Sequence, residues 1–500
     1  MSDPLRAPGN LSRDLLAIDS DRPADGTVFI ENNVALNRSR LQARVRAVAS
    51  VLANRYPPGT HVVLAMNDTT WLAAAFLSAI AAGLVPAIVH PRLPADALDA
   101  IVEDFGAPLA LCGTSAEAWL QDAAAAGDPA WNDWHETPGD TDVYAQYTSG
   151  STGAPKGVMH TRDGTLAVCA RLAAHFGITS LDRIYAVPKM FFGYGMGASL
   201  LLPLYTGASA ILDPAWPTPD TILAHLRHAR PTIWFSIPTI YRALRPHAAE
   251  VSTIVRVAAS AGSPLPAAEC QAWTAAGLRV CDGIGATETL HIYLANDPAH
   301  PLPEVTGKPL PGITVRLTDA NGQTIAAPDT PGVLWVSGAG LASGYWHREA
   351  AERARFVDGW YRTGDLFSVD RDGHYRCHGR EDDRFKVKGR WVAPLPIETL
   401  VTDAFPDVAE AALVPATATH DACRPTLFYA RSASSHQTDA TQDRMEFRAI
   451  TEAIAARYPS HMVPSRVVRL SSLPRNPNGK LMRAELASHA SRIHGHPDNP

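Results

Sequence analysis

The chain has 500 residues, a formal net charge of −6 and 46% apolar side chains. That length suggests roughly two to four folded units with ample material for a core. The acidic balance excludes a protein that works by coating nucleic acid with positive charge.

The opening Met1-Ser2-Asp3-Pro4 has no basic stretch leading into an apolar run, so no secretory signal is expected. Apolar spacing predicts a helix over Leu41 to Ala53, a buried strand over His61 to Met66, a helix over Trp71 to Gly83 and a strand over Val85 to Val89. Gly83 and Pro86 interrupt the most apolar of these runs, so it reads as core and no membrane partner is expected. Cys112, Cys169, Cys270, Cys281, Cys377 and Cys423 are scattered without CxxC spacing. That pattern predicts free thiols in a cytoplasmic protein, not a zinc site or a disulfide framework.

The densest chemical signal is Tyr147-Thr148-Ser149-Gly150-Ser151-Thr152-Gly153-Ala154-Pro155-Lys156-Gly157. Its glycines let backbone approach a ligand closely. The hydroxyls of Thr148, Ser149, Ser151 and Thr152 can donate to anionic oxygens, and Lys156 adds a positive charge. A polyphosphate needs such a loop; a solvated Gly/Ser turn is the plainer alternative. Lys156 is followed by Gly157 rather than Ser or Thr, so this is not a Walker A loop, and any magnesium must find its carboxylate elsewhere.

Strands are predicted next at Arg183 to Val187, Thr232 to Ile237 and Ile254 to Ser260, separated by helix-length segments. This alternation implies parallel, doubly wound α/β layers. Between them, Pro188-Lys189-Met190-Phe191-Phe192-Gly193-Tyr194-Gly195-Met196-Gly197 is aromatic and glycine-rich, able to wall a flat ring or simply to pack in the core. In Asp282-Gly283-Ile284-Gly285-Ala286-Thr287-Glu288, the final acid can hold magnesium or answer a helix dipole. From Gly307 to Cys377 short β-rich runs are broken by glycine and proline, predicting a compact antiparallel subdomain. Within it, Tyr361-Arg362-Thr363-Gly364-Asp365-Leu366 sets Asp365 at a glycine turn, as a ribose acceptor or an Asx-turn residue. The charged Gly379-Arg380-Glu381-Asp382-Asp383-Arg384 is a candidate boundary, and the rest is long enough for a small α+β domain. Pro474-Arg475-Asn476-Pro477-Asn478-Gly479-Lys480 is a tight loop presenting Lys480.

In order and spacing the phosphate loop, the Thr287-Glu288 acid, the turn at 361–366, the boundary at 379–383 and the loop at 474–480 resemble the acyl-adenylate-forming superfamily over nearly the whole chain. The resemblance implies an α/β N-terminal domain, residues 1–381, of layered subdomains plus a β-rich one, and a small mobile α+β domain, 382–500, turning about Asp382. It implies ATP, Mg²⁺ and coenzyme A as reactants and cofactors: a carboxylate attacks the α-phosphate, then a thiol displaces AMP. By position, Thr148, Ser149, Ser151, Thr152 and Lys156 handle the β/γ-phosphates, Thr287 the α-phosphate and Glu288 the metal. Asp365 and Arg380 take the ribose, Asp282 and Ile284 lie near the adenine, and Lys480 bridges the carboxylate and α-phosphate. Gly389 and Trp391, within the loop from Lys386 to Trp391, help form the thiol tunnel. Two positions depart from the pattern: Ile284 replaces a common aromatic residue, and Pro396 replaces a glutamate ahead of Glu398.

The strings PKMFFGYGMG and DGIGATETLHIYLAN are similar to the aryl-CoA ligase branch, its anthranilate-activating members in bacterial alkylquinolone synthesis above all. This implies anthraniloyl-CoA formation, with Phe192, Gly193, Tyr194, Gly262, Ile284, Gly285 and His291 around the acid. Benzoate activation, aryl loading of a carrier protein, and a non-catalytic nucleotide sensor are the alternatives. The chain is expected as a monomer or homodimer with a small aromatic acid, ATP and CoA as its partners.

Overall fold

The computed structural model describes residues 8–18, 22–149, 155–417, 423–431, 440–475 and 481–495, with backbone only at 149, 351–353, 417, 440–443 and 495. The helix Arg38–Arg55 starts where the Asn37 side chain accepts from the Arg40 N–H. It buries Leu41, Val45, Val48, Ala49 and Leu52, the stripe of an amphipathic helix. Thr70–Ala81 instead buries nearly every side chain and lies inside the protein, as its broken apolar run predicted. Among the described residues no helix is long and apolar enough to cross a membrane.

Two sheets form the bulk of the first 300 or so residues. The first runs Gly344–Tyr345, Pro155–Thr161, Asp142–Ser149, Val85–Ile88, His61–Ala65, Leu109–Cys112. The second has nine strands, in the order Lys308–Pro309, Ile292–Ala295, Val280–Gly285, Val257–Ser260, Ile233–Ser236, Arg183–Ala186, Ser209–Leu212, Thr27–Glu31, Val34–Asn37. The predicted parallel pairing holds in the interior of both sheets, for example Ile233–Ser236 on Val257–Ser260. At the margins pairing turns antiparallel, as in the hairpin of Asp142–Ser149 with Pro155–Thr161.

The predicted β-rich subdomain is an antiparallel sheet of Ile313–Thr318, Gly332–Gly338, Trp360–Val369 and Phe356–Val357, with Tyr375–Arg380 also paired to Trp360–Val369. Beyond it, Val408–Thr417, Cys423–Arg431 and Arg466–Leu470 make a three-stranded sheet packed with the helices Pro394–Ala404, Ala440–Arg457 and Arg483–Gly495. This last unit has an apolar core of its own, including Ile397, Val401, Leu427 and Ile454. Arg242 reaches it from the second sheet's side: its Nη1 donates to the Val408 and Ala409 carbonyls at 2.9 and 2.5 Å. Its Nε is held by the buried Glu269 carboxylate at 3.0 Å.

Candidate active site

The strand Gly344–Tyr345 adds to the free edge of Pro155–Thr161, pairing Tyr345 with Val158. That brings the Tyr345 ring under Lys156, whose Nζ lies 5.6 Å from the ring centroid. The Tyr345 hydroxyl donates to Glu288 Oε1 at 2.7 Å. Lys156, Tyr345 and Glu288 therefore form one chain of contacts across three separate segments. Thr148 stands opposite Lys156 in the hairpin register. Ser151, Thr152 and the side chain of Ser149 lie outside the described residues.

Glu288 sits in the short 3₁₀ turn Thr287–Thr289 that follows the strand Val280–Gly285. The Thr289 hydroxyl steadies this turn, 3.0 Å from both the Ala286 N–H and the His291 carbonyl. Leu290 then takes φ 64°, a backbone conformation costly for a branched residue, and carries the chain directly to His291. His160, buried and stacked on Tyr144, braces the same turn from below through the Thr287 backbone.

Asp365 and Arg380 are register partners on adjacent strands, with Arg380 Nη1 donating to Asp365 Oδ1 at 3.2 Å. Burial pushes the Asp365 carboxyl upward and Arg380 opposes that shift. Asp282 is buried, and its Oδ1 accepts from the Leu265 N–H at 3.2 Å, pinning the turn after Gly262. Ile284 packs against the β-rich core beside Tyr293 and Leu294.

The aromatic segment forms a wound-up wall. A single helical turn, Gly193–Met196, runs into a π-helical turn, Gly197–Leu201, and then into Leu202–Thr206. Such π-turns are frequent at functional sites. The Tyr194 hydroxyl donates to the Ala259 and Ser236 carbonyls at 3.0 and 3.3 Å, fixing its ring at the ends of two parallel strands. Phe191 is buried, whereas Phe192 keeps partial exposure. His291 meets Tyr194 edge-on at 5.1 Å and Phe235 at 5.8 Å. Gly197 is required here, because a Cβ would stand 2.4 Å from His291 Cδ2. Gly285 and Gly262 are exposed, the latter at φ 91°.

Burial holds both His160 and His291 neutral, with pKa values down at about 3. The sign for stability follows. Below pH ~6.5 the unfolded chain binds a proton at each ring that the folded chain refuses until about pH 3. Each ring thus contributes fully above pH ~6.5, and between there and about pH 3 the contribution falls by about 1.4 kcal/mol per pH unit as acidity rises. Urea unfolding at pH 7 and pH 5 should show lower stability at pH 5; an unchanged midpoint would contradict it.

Asp382 is exposed between two paired acids. Glu381 is bound to Arg362 of the β-rich sheet at 2.7 Å, and Asp383 to Arg483 of the last helix at 3.3 Å. Arg483 also meets Glu398 at 2.7 Å. Gly389 and Trp391 lie on the hairpin Phe385–Val387/Arg390–Val392, where Trp391 is exposed beside Arg384 and Lys386. Lys480 lies outside the described residues; on either side of it Arg475 and Leu481 pair as a β-bridge. The structure thus gathers Lys156, Glu288, Asp365, Arg380, Tyr194 and His291 from distant segments. Tyr345 and His160 belong to the same constellation and carry no local sequence signal.

Comparison with known proteins gives the same picture at three levels. Residues 17–346 match the profile of the AMP-binding enzyme family. The chain is 44% identical to an anthranilate–CoA ligase of Pseudomonas aeruginosa over 97% of each chain. It is 31% identical to a 3-hydroxybenzoate–CoA ligase of an Aromatoleum species over 93% of each. Among solved structures it superposes on an anthranilate CoA ligase in complex with anthranoyl-AMP, with a TM-score of 0.88 and 25% identity over 97% of this chain and 98% of that one. A benzoate CoA ligase from Burkholderia xenovorans gives a TM-score of 0.87 and 26% identity over 96% and 100%.

Proposed function

Since this chain belongs to the AMP-binding enzyme family, we propose that it activates anthranilate (2-aminobenzoate) with ATP and passes the acyl group to coenzyme A. An AMP-forming acid–thiol ligase has two chemical tasks, and both need neighbouring pockets. The observation that carries the reading is the direct passage from Glu288, tied to Lys156 through Tyr345, to His291 on the Tyr194 wall. A phosphate-handling group and an aromatic pocket therefore adjoin within four residues of chain, Glu288 to His291. The identity of the acid is supported by the 44% identical anthranilate–CoA ligase.

In the first step a carboxylate oxygen of the acid bonds to the α-phosphorus, the bond to the β-phosphate oxygen breaks, and pyrophosphate leaves. Lys156 and Thr148, facing each other in the hairpin, take the role of stabilising that leaving group. Glu288 is the acid suited to hold Mg²⁺, which when bound neutralises phosphate charge; its hard carboxylate oxygens fit that ion. Asp365, an acceptor beside Arg380, suits the ribose hydroxyls. In the second step the CoA sulfur attacks the acyl carbon and AMP departs. The anchoring of Glu381 and Asp383 to opposite units supports Asp382 as the pivot between steps.

The test is incubation with anthranilate, MgATP and CoA, with products read by mass. Anthraniloyl-CoA and AMP are expected, with kcat/KM for benzoate at least ~10-fold lower. Label appearing on a carrier protein with none on CoA would overturn the ligase reading, and a higher kcat/KM for benzoate would overturn the choice of acid.

A further inference from the structure

Gln146 precedes the phosphate loop on the strand Asp142–Ser149 and is wholly buried. Its Nε2 donates to Met196 Sδ at 3.1 Å, within the aromatic wall. That leaves Oε1 as the other end of the amide, and it is buried with no hydrogen-bond partner among the described residues. Buried carbonyl groups without partners are uncommon and costly. The atom lies beside Gly193 of the aromatic segment: a Cβ there would come within 3.1 Å of it and within 2.2 Å of the Leu290 carbonyl. Glycine at 193 therefore places the acid-pocket segment directly against Oε1 with no side chain between them. The ring nitrogens of His291 complete no hydrogen bond among the described residues either, though the Tyr194 carbonyl lies near enough to favour protonation.

We propose that Gln146 is a specificity residue for the ortho position, its Oε1 accepting a hydrogen bond from the 2-amino group of the bound acid. This rests on the anthranilate reading above. An aromatic amine is a good donor and a poor acceptor, so it needs a group that can only accept; an amide carbonyl is one. Benzoate offers no donor there and leaves Oε1 unpaired. A site built to pair a substrate N–H discriminates against the analogue that lacks it far better than an apolar pocket can.

The experiment compares kcat/KM for anthranilate and benzoate in the wild type, Gln146→Met and Gln146→Glu. In Gln146→Met the anthranilate-to-benzoate ratio should fall ~10- to 100-fold, whereas Gln146→Glu, which keeps an acceptor, should retain most of the preference. An unchanged ratio in Gln146→Met overturns the assignment. A wild type that shows no preference for anthranilate overturns the functional reading instead. If Gln146→Met does not fold, wild-type binding of stable 2-aminobenzoyl and 2-methylbenzoyl adenylate analogues decides. The amino compound should bind at least ~10-fold tighter, and equal affinity overturns the proposal.

Discussion

Lys480→Ala is expected to lower acyl-adenylate formation by at least ~10²–10³-fold while largely sparing thioester formation from supplied anthraniloyl-AMP. The first half-reaction brings a carboxylate against a phosphate, two anions that repel. A lysine placed between them offsets that repulsion and stabilises the charge that builds on the α-phosphate oxygens in the transition state. The second half-reaction starts from a mixed anhydride, in which that charge has already left as pyrophosphate. A lysine that acts only at the first barrier must therefore split the two rates. Pyrophosphate release and CoA-dependent AMP release, followed separately, measure the split. Equal loss in both would show that Lys480 supports the fold or the domain arrangement and not the bond being made.

Glu288→Gln is the second large effect: a fall of ~10²–10³ in pyrophosphate release, partly recovered by raising Mg²⁺. Glutamine keeps the size of the side chain and an oxygen that can accept from the Tyr345 hydroxyl, which lies 2.7 Å from Glu288 Oε1. What it removes is the negative charge. The expected signature is an upward shift in the Mg²⁺ concentration giving half-maximal rate, with the folded state intact by circular dichroism. A variant whose rate falls while its Mg²⁺ dependence stays unchanged would assign Glu288 to positioning the turn, a task it shares through its carbonyl, which accepts from the Ala342 N–H at 2.8 Å.

Much of this was legible because the relevant residues carry chemistry their surroundings do not explain. A run of hydroxyls, glycines and Lys156 has no use in a core, and an acid at Glu288 after a strand invites a ligand. The interior strands were legible for the opposite reason: His61–Ala65 and Ile233–Ser236 are buried and nearly continuous in apolar residues. Pairing direction at the sheet margins was not legible, since alternation along one strand says nothing about which way its neighbour runs. Tyr345 and Gln146 were missed on similar grounds. A single polar residue in a strand looks like ordinary packing until the fold reveals its partner, and Tyr345 stands 57 positions from Glu288. The salt links that flank Asp382 were likewise invisible, because Glu381 meets Arg362 of the β-rich sheet and Asp383 meets Arg483 of the last helix, neither pair adjacent in sequence.

Arg242 grips the C-terminal unit by hydrogen bonds to the carbonyls of Val408 and Ala409, with its charge also acting on the Asp403 carboxylate of that unit. Every residue type presents the same carbonyl, so substitutions at 408 and 409 leave this grip unaltered as long as the strand keeps its path. The hydrogen bonds are sequence-blind on one side and dependent on one guanidinium on the other. In a lineage of such enzymes, drift in the small domain can proceed without a matching change across the boundary, and selection on this docking face falls on Arg242 and on Glu269, the buried acid that aims it.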